Sequence, residues 1–433
     1  MKKIVAVIAA GAFLAAGAVA EITFGTWLRV QEGLLTSDGD DTYTGSVNSW
    51  GGARYARVNI AGQDEDGRVG FKMDIYDEDG TISRGDNAYL WVKPIEQIKV
   101  AAGKWASSEN WLRGDLCYGQ WNWLRSNTWL TGDEGLTFTG ANSGTGLHVQ
   151  IWPMDGLQIY IGVPLPSNAL KGTAETEYNG AAGGTYTGRK FDEENDTIYA
   201  DSWNTSAKAT YISSQVAVAY KIEPIASTLK VQWVGDYEEV VYGKYYEFED
   251  GTGYGSIEVA FDFGLVENLW VTAGFRYRLM DGDLQTYWEK DSMKFALGAS
   301  YELGNLIGWD PGFKISASGE LLMYTGWDDV WGGEEKDPRF CFGVGIDFGI
   351  MDGLKLEADV RYINESKSSG DGWEYNGEDD SVSFLIGLLY SVTSNGEIGI
   401  GFQGATNGNG LCGDLKYEDK FAWAIPLRIG VWL

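Results

Sequence analysis

The residues with most scope for chemistry are few. His148 is the only histidine in the chain. A triad or a metal site built on it needs partners at matched geometry, and no serine or cysteine motif marks them. The reading is therefore no catalytic residue, no metal ligand and no cofactor. Three cysteines, Cys117, Cys341 and Cys412, are too few for a disulfide scaffold. Cys117 and Cys412 fall in expected loops and are the one pair to consider for a bridge. Cys341 sits inside a strand pattern as a small buried residue. Acidic clusters at 38–41, 64–66, 77–79, 247–250 and 378–380 lack the spacing and closing glutamate of a calcium loop, and read as solvated acidic loops.

Charge and aromatic content say more. The net charge is −29, and −31 without Lys2 and Lys3. That balance disfavours nucleic acid as a partner. The chain has 19 tryptophans among 433 residues, and 60 glycines against 8 prolines. This composition suits many short strands joined by glycine turns. Segment 106–144 concentrates Trp111, Trp121, Trp123 and Trp129 beside Glu109, Arg113, Asp115 and Arg125. A solvated loop seldom carries so many indoles. The two readings are a constriction folded into a lumen and a loop packed on a rim or a neighbouring subunit.

The elements that would position these residues have a period of two. In 21–31, Ile22, Phe24, Thr26, Leu28 and Val30 share one face, and Trp27 and Arg29 the other. Leu269, Val271, Ala273, Phe275 and Tyr277 oppose Thr272, Arg276 and Arg278 in the same way. Eighteen such segments follow: 21–31, 53–62, 68–77, 86–93, 97–105, 145–152, 157–165, 205–222, 228–236, 253–263, 268–279, 292–303, 312–324, 339–348, 353–363, 382–391, 396–404 and 421–433. The eighth changes phase near Ser213, which reads as a bulge. Connections alternate long and short, with 78–85 as the weak point. A soluble sandwich has no reason to sort its loops so, whereas a membrane barrel does. The expectation is an all-β, transmembrane antiparallel β-barrel of about eighteen strands, sixteen being the next choice. It occupies 21–433 as a single domain. Residues 1–20, with Lys2–Lys3, an apolar run and Ala18-Val19-Ala20, read as a signal peptide cleaved after Ala20.

The uniform apolar face of each strand should meet outer-membrane lipid and the mixed face the interior. The pore-lining candidates are Arg29, Arg57, Lys72, Asp74, Lys99, Lys230, Glu258, Arg276, Arg278, Lys314, Glu320, Lys355, Asp359 and Arg361. About 16–18 strands leave an aqueous lumen, where about eight would be filled by side chains. Inward aromatics Trp27, Trp91, Trp152 and Trp270 either stack on sugars or pack near the rims.

The signal peptide, the strand starting at residue 21 and the long loop between strands five and six resemble a bacterial general porin. The opening AEITFGTWLR is also similar to spirochaetal outer-membrane proteins. The resemblance implies the bacterial outer membrane, passive diffusion of small hydrophilic solutes and ions past an inward loop, and a homotrimer. A carbohydrate-selective channel, a non-conducting adhesin or structural barrel, and a soluble sugar-binding protein are the alternatives. The chain departs from the porin pattern in ending Trp432-Leu433 and in placing Pro426 within the last strand, a residue that fits best at a bulge or an edge.

Overall fold

A strand with one apolar face can satisfy its backbone in hydrocarbon only if every edge is paired. The computed structural model shows that arrangement. It describes residues 21–37, 39–46, 54–78, 81–105, 114–115, 137–138, 144–164, 176–177, 186–192, 197–203, 214–237, 253–279, 293–323, 338–364, 380–406 and 421–433. The wall strands are β1 (Glu21–Ser37), β2 (Arg54–Gln63), β3 (Val69–Glu78), β4 (Thr81–Ile95), β5 (Ile98–Trp105), β6 (Gly144–Met154), β7 (Leu157–Pro164), β8 (Gln215–Ile222) and β9 (Ser227–Tyr237). They continue as β10 (Gly253–Phe263), β11 (Leu269–Leu279), β12 (Met293–Glu302), β13 (Phe313–Met323), β14 (Arg339–Met351), β15 (Leu354–Ile363), β16 (Ser381–Thr393), β17 (Gly396–Thr406) and β18 (Phe421–Trp432).

Each strand pairs antiparallel with the next, and β18 returns to β1 from Trp27↔Trp432 to Ser37↔Trp423. Eighteen strands thus close a ring. Backbone bonds from Thr26 N to Leu433 O (2.7 Å) and back (2.9 Å) lock the chain end into the seam. The nineteenth strand of the sheet, Thr42–Ser46, pairs with β1 from Glu32 to Ser37 and stands outside the ring. A further three-stranded sheet joins Thr176–Glu177, Tyr186–Asp192 and Thr197–Trp203.

Outward and inward faces differ sharply. Phe24, Leu90, Leu297, Phe342 and Ile386 are among the exposed large apolar residues, while Asp74, Gln158, Gln403 and Arg428 are fully buried. Apolar out and polar in is the arrangement of a membrane barrel. Aromatic pairs run across neighbouring strands on the outer face. Phe275 meets Phe295 at 4.9 Å, and Phe342 meets Tyr362 at 5.3 Å. Pro426 stands opposite Gly33, where the β1–β18 register shifts between Gly33 and Leu35. Its missing N–H therefore falls at a bulge, where no ladder bond is lost.

The short connections gather at the end that holds residues 21 and 433. They include a tight turn at 64–68, where Asp64 Oδ1 accepts from Arg68 N (2.6 Å) and Val69 N (2.9 Å). Another carries a short helix, Leu303–Ile307, and sets Trp309 against Phe348 at 5.4 Å. At the other end β3 and β4 are joined across 79–80, so the segment 78–85 is mostly strand. Of the expected eighth strand, 205–222, the structure describes 214–222, where β8 covers Gln215–Ile222. The expected bulge near Ser213 lies outside the described residues, as do residues 1–20.

Candidate functional site: the barrel interior

Strand alternation brings charges of both signs to the inner face, and register decides which of them meet. Arg57 on β2 and Asp74 on β3 sit two rungs apart on the same face. Arg57 Nη2 lies 2.6 Å from Asp74 Oδ2. Asn87 on β4 donates to the same oxygen through its backbone N (3.2 Å) and Nδ2 (2.8 Å). Arg57 Nε also donates to Asn59 Oδ1 at 2.5 Å, and its guanidinium lies 5.3 Å from the Tyr76 ring. A carboxylate with no exposure is tolerable only with such donors around it.

The pattern repeats around the ring. Lys230 Nζ lies 2.5 Å from Asp262 on the next strand. Gln232 donates to Glu258, and Glu258 stands in register with Arg276. Arg278 faces Ser256 two rungs away. Lys294 reaches Glu320 at 2.8 Å, and Lys314 reaches Asp347 at 2.9 Å. On β15 both pairs lie within one strand, Lys355–Glu357 at 2.6 Å and Arg361–Asp359 at 3.3 Å. Arg428–Glu397 at 2.8 Å closes the set beside the seam.

Of the sequence-predicted lining residues, Arg57, Asp74, Lys230, Glu258, Arg276, Lys294's partner Glu320, Lys314, Lys355, Asp359 and Arg361 thus fall into this ladder. For Arg29 only the backbone is described, between Tyr55 and Gly430. Sequence reasoning passed over Asn87, Lys294, Glu397 and Arg428. The signal was present for Arg428, a lone cation in the run Leu427, Ile429, Val431. It also missed inward leucines: Leu322, Leu385 and Leu389 are buried among the polar residues.

A different wall spans β3 to β7. Trp105 is 1% exposed, lies 4.5 Å from Tyr89 and stacks on His148 at 5.3 Å. His148 Nδ1 and Tyr160 Oη are 2.6 Å apart. The histidine is therefore embedded among rings. Lys99 Nζ lies 4.8 Å from the Trp105 ring, 5.1 Å from Trp91 and 5.5 Å from Tyr89. Lys93 Nζ lies 5.4 Å from Trp91. Next to these rings is a cavity of about 240 Å³ lined by Thr23, Ala61, Gly62, Gln63, Phe71, Lys72, Tyr89 and Trp91.

The four inward tryptophans do not form a track along the axis. Trp27 pairs with Trp432 at the end of β18, Trp91 with Gly70 near the start of β3. Trp152 is near the end of β6, and Trp270 is the second residue of β11. All four lie toward the turn end, on well-separated strands. Of loop 106–144, the structure describes Gly114–Asp115 paired with Thr137–Phe138, together with Gly144, where β6 begins. Glu109, Trp111, Arg113, Trp121, Trp123, Arg125 and Trp129 lie outside the described residues, as do Cys117 and Cys412. Cys341 stands on the inner face, its Sγ 3.7 Å from Glu320 Oε2.

No family model matches the chain, and no curated protein matches it in sequence. Several solved structures share its general outline. OprD of Pseudomonas aeruginosa matches at 11% identity and a TM-score of 0.48, over 96% of each chain. OpdL of the same organism matches at 9% and 0.47, over 96% of this chain and 99% of that one. The anion-selective porin from Comamonas acidovorans matches at 11% and 0.46, over 95% and 99%. Likeness of this degree identifies neither solute nor assembly. The strand pairing and the two faces carry the assignment themselves: the chain is a closed, eighteen-stranded antiparallel β-barrel built as bacterial outer-membrane barrels are.

Proposed function

We propose that this barrel is an outer-membrane channel through which small hydrophilic solutes and ions diffuse passively, with no reaction catalysed and no cofactor. One observation carries the reading. The inner face of a closed eighteen-strand ring bears a ladder of ion pairs from Arg57–Asp74 to Arg428–Glu397, while the outer face is apolar. A ring of that size is wider than its own side chains can fill. Paired charges on its wall are stable beside water and costly beside lipid. The tryptophan-rich loop 106–144 narrows this lumen in our reading, because indoles seek a partly buried surface. Residues 1–20 direct export and are removed after Ala20.

Planar-bilayer recording of the purified, refolded protein tests the proposal. Stable conductance steps are expected, and their size should rise when loop 106–144 is shortened. A folded barrel that yields no steps overturns the channel reading in favour of an adhesin or structural barrel.

A further inference from the structure

The sector β3–β5 brings together an indole, several lysines and a cavity. Trp91 lies against Gly70, the residue opposite it in register. A Cβ on Gly70 would stand 2.5 Å from Trp91 Cζ2 and 2.6 Å from Cε2. The glycine is therefore what lets the indole lie close to the wall. Lys93 and Lys99 bring ammonium groups within 5.4 Å and 5.1 Å of that ring. Lys72 and Tyr89 join Trp91 in lining the cavity of about 240 Å³, and no carboxylate lines it among the described residues. Thr23 and Gln63 add neutral hydrogen-bonding groups at its edge.

We infer that this cavity is a binding site for small organic anions that carry an apolar ring face, such as a sugar acid. The chemistry follows from the lining. The ammonium of Lys72 in the lining, with those of Lys93 and Lys99 on the Trp91 ring beside it, holds a carboxylate through charge-assisted hydrogen bonds. An indole fixed beside them packs against the apolar face of a ring. Thr23 and Gln63 match hydroxyl groups. The volume suits one small ring and excludes a long chain lying at full length. The site stands toward the turn end, so it would hold solute where it leaves or enters the lumen on that side. This inference rests on the channel reading for its purpose, though not for its binding chemistry.

Two measurements keep the two readings apart. The first is current block in planar bilayers by glucuronate, with glucose as the neutral control. Block by glucuronate alone is expected, weakened about tenfold in Lys72→Met and in Lys99→Met, the worth of one charged contact. Gly70→Ala retains every lysine but sets a methyl against the Trp91 indole and the Gly62 carbonyl, and should weaken block as Trp91→Ala does. The second is saturation-transfer NMR of the same two probes on the folded protein in detergent micelles, which needs no conductance. Glucuronate should receive saturation through its ring protons, and Gly70→Ala should abolish it. Equal block or equal saturation by glucose, or indifference to all four variants, overturns the inference. A silent barrel that still saturates glucuronate supports the site while overturning the channel.

Discussion

Asp74 is the sharpest place to test whether the inner ladder holds the barrel together. Its side chain is fully buried, and one oxygen receives Arg57 at 2.6 Å and two donors of Asn87 at 2.8 Å and 3.2 Å. Asp74→Ala removes the acceptor but leaves a guanidinium and two amide donors behind. Breaking a buried pair in this way costs about 3–5 kcal/mol, since the remaining guanidinium loses its counter-charge. The Lys314–Asp347 pair has the same chemistry at 2.9 Å, but its side chains are 35% and 26% exposed. Water screens such a pair, so Asp347→Ala should cost about 1 kcal/mol or less. The contrast of about 3 kcal/mol can be read from reversible urea unfolding in lipid vesicles, at matched denaturant slopes. Arg57→Ala combined with Asp74→Ala should cost less than the two single changes added, because the pair is removed whole. If Asp74→Ala and Asp347→Ala prove equal within error, the inner ladder is not a structural brace and the argument from burial fails.

Two further outcomes are expected. With Cys117 and Cys412 replaced by serine, a cationic methanethiosulfonate reagent should attach to Cys341 in the folded barrel and lower its conductance. The thiol is half-buried on the inner face beside Glu320, so an unreactive Cys341 in a conducting barrel would place water elsewhere. At the turn end, the Val69 and Arg68 amides hold the exposed Asp64 carboxyl below its ordinary 3.8. A depressed pKa stabilises the turn above 3.8 and loses that effect as pH falls through the folded value. The Val69 amide should therefore shift in NMR only below pH 3.8, and the shift should vanish in Asp64→Ala.

The ring was legible where lipid enforces a contrast between faces. In β11 and β15 the alternation is unbroken, and the structure returns Leu269–Leu279 and Leu354–Ile363, close to the expected 268–279 and 353–363. It was not legible beyond the apolar belt. The expected first strand stopped at Gln31, yet β1 runs on to Ser37, its end held between β18 and the strand Thr42–Ser46. Thr36, Ser37 and Thr42 have no apolar face to betray a strand, and only pairing reveals it. β4 likewise begins at Thr81 and not 86, after the β3–β4 register shifts between Met73 and Ile75. For the interior, residue types were readable but partners were not. Lys355 and Arg361 bond two residues along their own strand, whereas Lys230 and Lys294 reach diagonally to the next. Nothing in the spacing of one strand states which of these its neighbour's register will allow.

Pairing also divides the inner charges by what they can do for a passing solute. A charge that is fully buried and held by a partner on the wall, such as Asp74 by Arg57 or Arg428 by Glu397, is tied to that partner. Moving it toward an ion would expose its partner, at the cost worked out above, so it braces and does not select. Lys314 and Lys355 differ, with side chains 35% and 38% exposed although each touches a carboxylate. Lys314 can swing toward an anion without leaving a buried charge behind, because Asp347 is itself 26% exposed, whereas Glu357 beside Lys355 is buried and ties that lysine to the wall. Selectivity should therefore respond to Lys314→Met at little cost in stability, whereas changes at Asp74 or Arg428 should first show as loss of the fold. The inner face is thus two populations interleaved by register, one that holds the ring round and one that meets the water inside it.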